Sequence, residues 1–461
     1  MTAKNFRSAI AGLDISVPVL GGGLKKYINF DNAASTPPLK SVWKTLEEFK
    51  DYYSSVHRGT GYKSIVSTRA YDTAHDKALS FVGADHDHHT CIFVKNTTEG
   101  INKLSRRLDL GKNDVVLSSL MEHHSNDLPW RMRANTVHIE IDDSGLLDLD
   151  DLKNKLIEHG RKVKLVAISG ASNVTGLLPP IREIASLAHR HGAMFLMDAA
   201  QLAPHRKIMM GEPGREDSID FLAFSGHKMY APFGTGALIG PKEIFKRGNP
   251  DMVGGGTVNY VTLSQVQWAH LPDKEEAGSP NVPGAVALSA AIDYFNKVGF
   301  DAITAHEREL TRYTLERFGE LDGVTVYGPR KWDSAMDRVG VISFNVNGEY
   351  HAKVAAILSY EGAVAVRNGC FCAHPYIQRL LKISDDSSQQ YRDDINRGIR
   401  SRVPGLVRVS FGIYNTKSEI DAFFRIMKLI VNKKYKGEYF IDEHTGQVQA
   451  AKFKFPDGPQ F

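Results

Sequence analysis

Ile219-Asp-Phe-Leu-Ala-Phe224 is an apolar run that stops at Ser225-Gly-His-Lys228, followed by Met229-Tyr230 and a glycine-punctuated run, Gly234-Thr-Gly-Ala-Leu-Ile-Gly240. The pattern predicts a buried strand with a lysine at its mouth. With Ser225 and His227 beside it, Lys228 is placed to form an imine with a carbonyl cofactor while its neighbours hold an anion. A solvated lysine in a loop is the plain alternative, because a tetrapeptide matches by chance. What surrounds the lysine decides between them.

From about residue 90 to 240, β-rich runs alternate with helical patterns: Cys91-Ile-Phe-Val, Val115-Val-Leu-Ser, Val137-His-Ile-Glu-Ile, Leu165-Val-Ala-Ile, Met194-Phe-Leu-Met, Phe221-Leu-Ala-Phe and Ala237-Leu-Ile. This alternation implies an α/β fold with a mostly parallel, seven-stranded-type sheet sandwiched by helices. Ile181 to Gly192 starts after Pro179-Pro180, has apolar residues at 181, 184, 185, 187 and 188, and stops at glycine, so it reads as a crossover helix.

After residue 283 long helical patterns (Ala285 to Val298, Ala302 to Leu321) lead into Val324-Thr-Val-Tyr, Val339-Gly-Val-Ile-Ser-Phe and Val407-Arg-Val-Ser-Phe, the texture of a smaller α+β unit. The expected division is an N-terminal arm (1–30) packing with the small domain, a large cofactor-binding domain (31–290), a small domain (291–432) and a C-terminal extension (433–461) that reads as a hairpin. Residues 376–403, polar around Ser384-Asp-Asp-Ser-Ser-Gln-Gln, read as an exposed insertion, a lid or interaction loop.

The 461 residues are 42% hydrophobic and 24% charged, which supplies a core and gives no signal for disorder. A net charge of +4 is too small to imply a nucleic-acid partner. No apolar run is long enough to span a bilayer, so no membrane partner and a cytoplasmic location are expected. Three cysteines, two of them only two positions apart, predict free thiols rather than a disulfide framework.

Ligands of open α/β sheets bind beyond the carboxyl ends of the strands. After Cys91-Ile-Phe-Val comes Asn96-Thr-Thr-Glu-Gly-Ile-Asn102, hydroxyls and amides at a helix start that suit a phosphate. Later strands lead into Met121-Glu-His-His-Ser-Asn126, Ser172-Asn-Val-Thr-Gly176, Asp198-Ala-Ala-Gln201 and finally Lys228. An imine-forming lysine, a phosphate cup, an imidazole and a carboxylate at a strand end describe what pyridoxal 5'-phosphate needs.

With these motifs, and with Asp31-Asn-Ala-Ala-Ser-Thr-Pro37, Gly254-Gly-Gly-Thr, Glu276-Ala-Gly-Ser-Pro-Asn, Val366-Arg-Asn-Gly, and Arg408 with Ile413-Tyr-Asn-Thr416, the chain resembles the fold-type I pyridoxal-phosphate enzymes of the class V aminotransferase group. Within it the resemblance is to group II cysteine desulfurases and selenocysteine lyases. It implies that Lys228 is the Schiff-base lysine, Asp198 the partner of the pyridine nitrogen, His123 the stacking imidazole and Gln201 a neighbour of the phenolate oxygen. Thr97, Thr98, Ser225 and His227 would hold the phosphate, with Thr257 reaching over from a second subunit of a homodimer. Asn173 would sit by cofactor and substrate, Arg408 would grip the carboxylate of the substrate, a small amino acid, and Arg367 would also bind the substrate.

Arg367-Asn-Gly-Cys-Phe-Cys-Ala373 aligns with the family segment whose cysteine takes sulfur as a persulfide, and puts Cys372 at the nucleophile position. Two departures stand out. Cys370-Phe371 replaces the residues, usually histidines, before the nucleophile, which looks more like molybdenum cofactor sulfurases, and the stretch between Cys372 and Arg408 carries an apparent insertion. A thiolate beside Arg367 in a cationic pocket is activated, whereas a buried thiol is inert.

The expectation is therefore an enzyme that removes sulfur or selenium from L-cysteine or a related amino acid through Cys372, with a sulfur-acceptor protein as a further partner. Transamination, epimerisation and β-elimination without a persulfide are the rival activities, and a carrier or scaffold without turnover is the non-enzymatic one. No metal is expected: Asp85-His-Asp-His-His89 reads as a solvated turn, and Cys370, Cys372 and His374 lack a fourth ligand. Cys91 reads as core, and Gly21-Gly-Gly23 as an approach to the Tyr27-to-Phe30 strand rather than a phosphate loop.

Overall fold

The computed structural model describes residues 3–333 and 337–459. Its centre is a seven-stranded sheet of β1 (His89–Val94), β2 (Val115–Ser119), β3 (Asn135–Ile139), β4 (Val163–Ser169), β5 (Met194–Asp198), β6 (Phe221–Ser225) and β7 (Gly236–Pro241), in the order β1-β7-β6-β5-β4-β2-β3. Neighbours from β6 to β3 are parallel, and β7 alone runs against both of its neighbours. Only ten residues join β6 to β7, too few for a crossover helix, so the chain returns antiparallel. The other six strands thus end at one edge. Strands β2 and β6 are buried along their whole length, as continuous apolar runs between two helical layers must be.

Every expected strand of this sheet is present. The third sits two residues earlier than its apolar run, because the Glu140 amide donates to the Asp151 carboxylate at 2.7 Å and takes the chain out of the ladder. The crossover helix spans Ile181–Arg190, with Ile184, Ala185, Leu187 and Ala188 buried, and ends ahead of Gly192 at φ 76°. The long helices span Val282–Val298 and Phe300–Gly319.

A second sheet, antiparallel, takes β8 (Val324–Tyr327), β9 (Val341–Val346), β10 (Arg367–Gly369) and β11 (Leu406–Ser410) in the order β8-β9-β11-β10. Ile28–Asn29 pairs in parallel with Val364–Ala365 beside it. The C-terminal segment forms the expected hairpin, Tyr439–Ile441 against Val448–Ala450. The stretch 376–403 contributes to helix His374–Leu380 and forms helix Asp385–Asn396, which buries only Asp394; it is anchored at its start, where Tyr376 and Ile377 are fully buried. Tyr376 donates to Gly145 O at 2.5 Å and lies 2.9 Å from the Thr175 hydroxyl, so this stretch begins as core, and its polar composition hides the anchor. No helix among the described residues is long and apolar enough to cross a membrane.

Glu307 joins the two sheets. Its carboxylate lies 2.6 Å from His205 Nδ1 and 2.5 Å from Arg206, both in the loop after β5, and accepts from the Gly340 amide at 2.8 Å just before β9. Burial alone would raise its pKa, but His205, Arg206 and the Gly340 amide outweigh it and hold the carboxyl down at about 2. Glu307→Gln is expected to cost about 3 kcal/mol in denaturant unfolding, because it strands buried cationic groups. Since the folded carboxyl releases its proton more readily than the unfolded one at 4.5, this contribution is complete above pH 4.5 and is lost as pH falls toward about 2. A wild-type unfolding free energy in Glu307→Gln at neutral pH would contradict this assignment.

Candidate active site

Lys228 ends the short turn Gly226–Lys228 that follows β6. Backbone packing fixes this turn from two sides. The Gly226 amide donates to Thr235 O at 2.7 Å, and a Cβ on Gly226 would stand 2.8 Å from that same oxygen, so only glycine permits the approach. From the other side the Thr36 amide and hydroxyl and the Ser35 hydroxyl all donate to His227 O, at 3.0, 3.1 and 3.2 Å. Lys228 is half-buried at the cavity, and desolvation there pulls its amine down to about 8 although Asp198 and Cys372 favour its charge; Arg408 opposes it.

The neighbouring strand ends converge on the same space. Asp198 closes β5, and its carboxylate accepts from the Ala200 amide at 2.9 Å; burial raises its pKa against the pull of that amide and Lys228. Gln201 donates to Ala33 O at 2.7 Å. After β2, His123 Nδ1 accepts from the Ser125 amide at 3.1 Å, which leaves the proton of the neutral ring on Nε2. Burial, with Lys228, His124 and Arg408 nearby, takes His123 down to about 3, and burial with Lys228 takes His227 to about 4. Both imidazoles are neutral at physiological pH.

Behind His123, the Glu122 carboxylate is buried and accepts from the Ser119 and Ser169 hydroxyls at 2.5 Å each and from the Asn126 amide at 2.7 Å. Burial pushes it up to about 7. It ties the ends of β2 and β4 together.

The helix Thr97–Arg107 starts where β1 ends, with Asn96 capping it by accepting from the Glu99 amide at 3.0 Å. Around this start the Thr97 and Ser225 hydroxyls are 2.7 Å apart, as are those of Thr98 and Ser125. Hydroxyls, a neutral imidazole (His227) and a helix N-terminus, with the first-turn carboxylate of Glu99 turned to the Lys95 amide and off the cavity, are a donor set that fits a phosphate dianion. Lys228 and Asp198 on the same cavity complete what pyridoxal phosphate requires of a chain.

At the far end Arg408, fully buried on β11, donates to Asn173 O at 2.9 Å and to the Asp31 carboxylate at 3.0 Å. Its Nε is buried without a partner among the described residues. The Phe371 ring covers the guanidinium at 4.7 Å, and Asn173 donates to Phe371 O at 2.8 Å. Cys372 is exposed, and its carbonyl accepts from the His124 amide at 2.7 Å. Cys370 is buried, donates to Pro404 O at 3.1 Å, and is pushed by burial up to about 11. Cys91 lies buried within β1.

One cavity of about 230 Å³ is lined by Lys228, Asp198, Gln201, His123, Thr97, Thr98, Ser225, His227, Asn173, Arg367, Arg408 and Cys372. Thr257 is not on it: its hydroxyl turns back to donate to Gly254 O at 2.8 Å. Ser125, Ser169, Phe371 and Ala33 line the cavity as well and were not singled out from the sequence, nor was Asp31 beside it. Their signal was adjacency, since each lies in or next to a quoted motif, but hydroxyls and backbone groups carry no distinctive pattern of their own.

The model of the family described as Aminotransferase class-V matches residues 28–423. A probable cysteine desulfurase of Halalkalibacterium halodurans is 37% identical over 422 residues, covering 90% of this chain and 95% of that protein. A cysteine desulfurase of Haloferax volcanii is 33% identical over 403 residues, 86% of this chain and 87% of that one. Among solved structures, the apo cysteine desulfurase of Thermococcus onnurineus superposes with a TM-score of 0.76 at 33% identity, over 88% of this chain and 95% of that chain. Matched from residue 28 to 423 and aligned with relatives over nearly its whole length, the chain belongs to the class-V aminotransferase family.

Proposed function

We propose that this chain is a pyridoxal-phosphate-dependent cysteine desulfurase that leaves alanine and takes the sulfur on Cys372. The observation that carries the reading is that Cys372, the exposed one of the three cysteines, lines the same cavity as Lys228 and Arg408. The names of the relatives support it.

When bound, pyridoxal phosphate supplies a carbonyl that takes the substrate's amino group and a ring that stores the electron pair released at the α-carbon. Lys228 and Asp198 would hold its two ends of reactivity, and Thr97, Thr98, Ser225 and His227 its phosphate. Arg408 orients the substrate carboxylate. The Lys228 amine, brought to about 8, exchanges a proton readily near neutral pH and so moves it at the substrate's carbons. His123, neutral and protonated on Nε2, would donate a hydrogen bond to the bound group without adding a cation. The Cys372 sulfur then attacks the substrate sulfur: the S–S bond forms as the Cβ–S bond breaks, and the electron pair of the broken bond goes to the carbon skeleton that leaves as alanine.

Completion of the site by a second copy belongs to the same reading. Thr257 precedes the hairpin Val258–Val261 and Val266–Trp268, on which Tyr260, Val261, Leu263 and Val266 are exposed, an apolar surface of the kind that a subunit covers.

Holoenzyme given L-cysteine is expected to yield alanine and a persulfide on Cys372, both lost in Cys372→Ser; pyruvate with ammonia, or unchanged turnover in the variant, would sink the reading. Cofactor-free protein is expected to take up pyridoxal phosphate at a rate that rises with pH through about 8, because the neutral amine is the nucleophile. That uptake gives a visible absorption band that Lys228→Ala lacks, and a rate still climbing near the ordinary lysine value would contradict the burial argument. Thr257→Ala is expected to retain cofactor more weakly, and a monomeric holoenzyme in solution would contradict the dimer.

A further inference from the structure

The two pairs of hydroxyls at the start of helix Thr97–Arg107 are wired differently. Thr97 and Ser225 close on the helix itself, since Ser225 Oγ also accepts from the Thr97 amide at 2.8 Å. Thr98 and Ser125 lead away from it. Ser125 Oγ is 2.7 Å from the Thr98 hydroxyl and 2.9 Å from His123 Nδ1. One buried serine therefore touches both a residue of the phosphate cup and an imidazole on the same cavity.

Proton counting fixes the direction of this chain. His123 Nδ1 accepts from the Ser125 amide at 3.1 Å, so it carries a lone pair and no hydrogen. Toward Nδ1 the Ser125 hydroxyl can only donate. A hydroxyl has one proton, so while that proton lies on His123 the bond between the two hydroxyls has to come from Thr98. The Thr98 proton then points away from the cup. The dianion of a phosphate ester has acceptor oxygens only and draws that proton back. Reversal leaves no buried acceptor unmade, because the Ser125 amide stays on Nδ1 when the hydroxyl turns off it.

We propose that Ser125 is a positioning residue that relays occupancy of the phosphate cup to His123. Without a phosphate group Thr98 donates to Ser125 and Ser125 to His123 Nδ1. With one in the cup, Thr98 donates to the phosphate, Ser125 donates to Thr98, and Nδ1 keeps the Ser125 amide alone. No proton leaves its oxygen; two hydroxyls rotate. A hydrogen bond donated to a neutral ring resists its protonation, so losing one makes His123 a readier proton acceptor once the cup is filled. The inference rests on the reading of the helix start as the phosphate cup.

The test is nitrogen NMR of the full chain carrying isotope-labelled histidine, as cofactor-free protein and as holoenzyme, in wild type, Ser125→Ala and Ser125→Thr. The His123 resonances are assigned by their loss in His123→Gln. Inorganic phosphate is the probe of the cup in the cofactor-free protein, with calorimetry to follow its binding. In wild type, phosphate is expected to move the Nδ1 resonance downfield, toward a nitrogen with fewer hydrogen bonds. Ser125→Ala is expected to start downfield and stay there, and Ser125→Thr, which keeps a hydroxyl, to restore the movement. In the holoenzyme wild type and Ser125→Ala are expected to coincide. Phosphate that binds without moving Nδ1 in wild type, or that moves it equally in Ser125→Ala as a charge acting through space would, overturns the relay and leaves the cup standing. Phosphate that binds neither wild type nor variant defeats the relay and the reading of the cup together.

Discussion

The site depends on shielding one lysine amine from much of the water around it. An ammonium short of solvent is costly, and a protein relieves the cost by lowering the pKa or by supplying opposite charge. Both happen at Lys228: it falls to about 8, and Asp198 at the end of β5 and Cys372 favour what charge remains. The same desolvation drives His123 and His227 far below the ordinary imidazole range. A cavity with three cationic side chains cannot also carry two imidazolium rings. Burial thus divides the labour, leaving Lys228, Arg408 and Arg367 as cations and the imidazoles as neutral hydrogen-bonding groups.

Holding that amine at a fixed place requires the two sheets to be fixed to one another, and the stretch 31–36 does this. Asn32 donates to Ser410 O at 3.0 Å, and the Ala33 amide donates to the Ser410 hydroxyl at 2.9 Å, both on the four-stranded sheet. Ala33 O receives Gln201, and Thr36 grips both His227 O and the Tyr230 amide, on the seven-stranded side. Tyr230, at φ 62°, sends its hydroxyl back to accept from the Ile413 amide at 2.9 Å. Each bond is worth only about 1 kcal/mol net, but a buried partner left unmade costs about 1–3 kcal/mol. The seam is therefore specific more than strong: a shift of either sheet breaks several bonds together.

Strand identity and order of use were legible in the sequence because parallel strands buried on both faces read as continuous apolar runs. The residues after them were legible because polar groups at the mouth of an apolar run have few other reasons to be there. The reversal of β7 was not read, since strand direction follows from the length of a connection and not from its composition. The anchors Tyr376 and Ile377 at the start of 376–403 were not legible, because they precede a polar helix and composition averages them away. The pairing of Asp31 with Arg408, 377 positions apart, lies beyond any local pattern. Thr257 shows the converse limit: a motif can be matched while its hydroxyl, within one chain, turns to its own loop.

The segment Cys370-Phe-Cys372 has a physical logic of its own. Phe371 and Cys372 both take left-handed backbone conformations, φ 48° and 55°, each costing a non-glycine residue of order 1–3 kcal/mol. Three contacts offset that cost: the Phe371 ring on Arg408, the Asn173 amide on Phe371 O, and the His124 amide on Cys372 O. A small residue at 371 would lose the first of these, so the aromatic ring is what weights the turn down. The turn in its place sends two neighbouring thiols to opposite environments. Cys370 donates a hydrogen bond to the Pro404 carbonyl in a buried site that pushes it up to about 11, which disfavours the thiolate and hence nucleophilic attack. Cys372 stays exposed on the cavity. Two cysteines separated by a single residue therefore sit in different environments because the backbone, and not the thiol chemistry, has separated them.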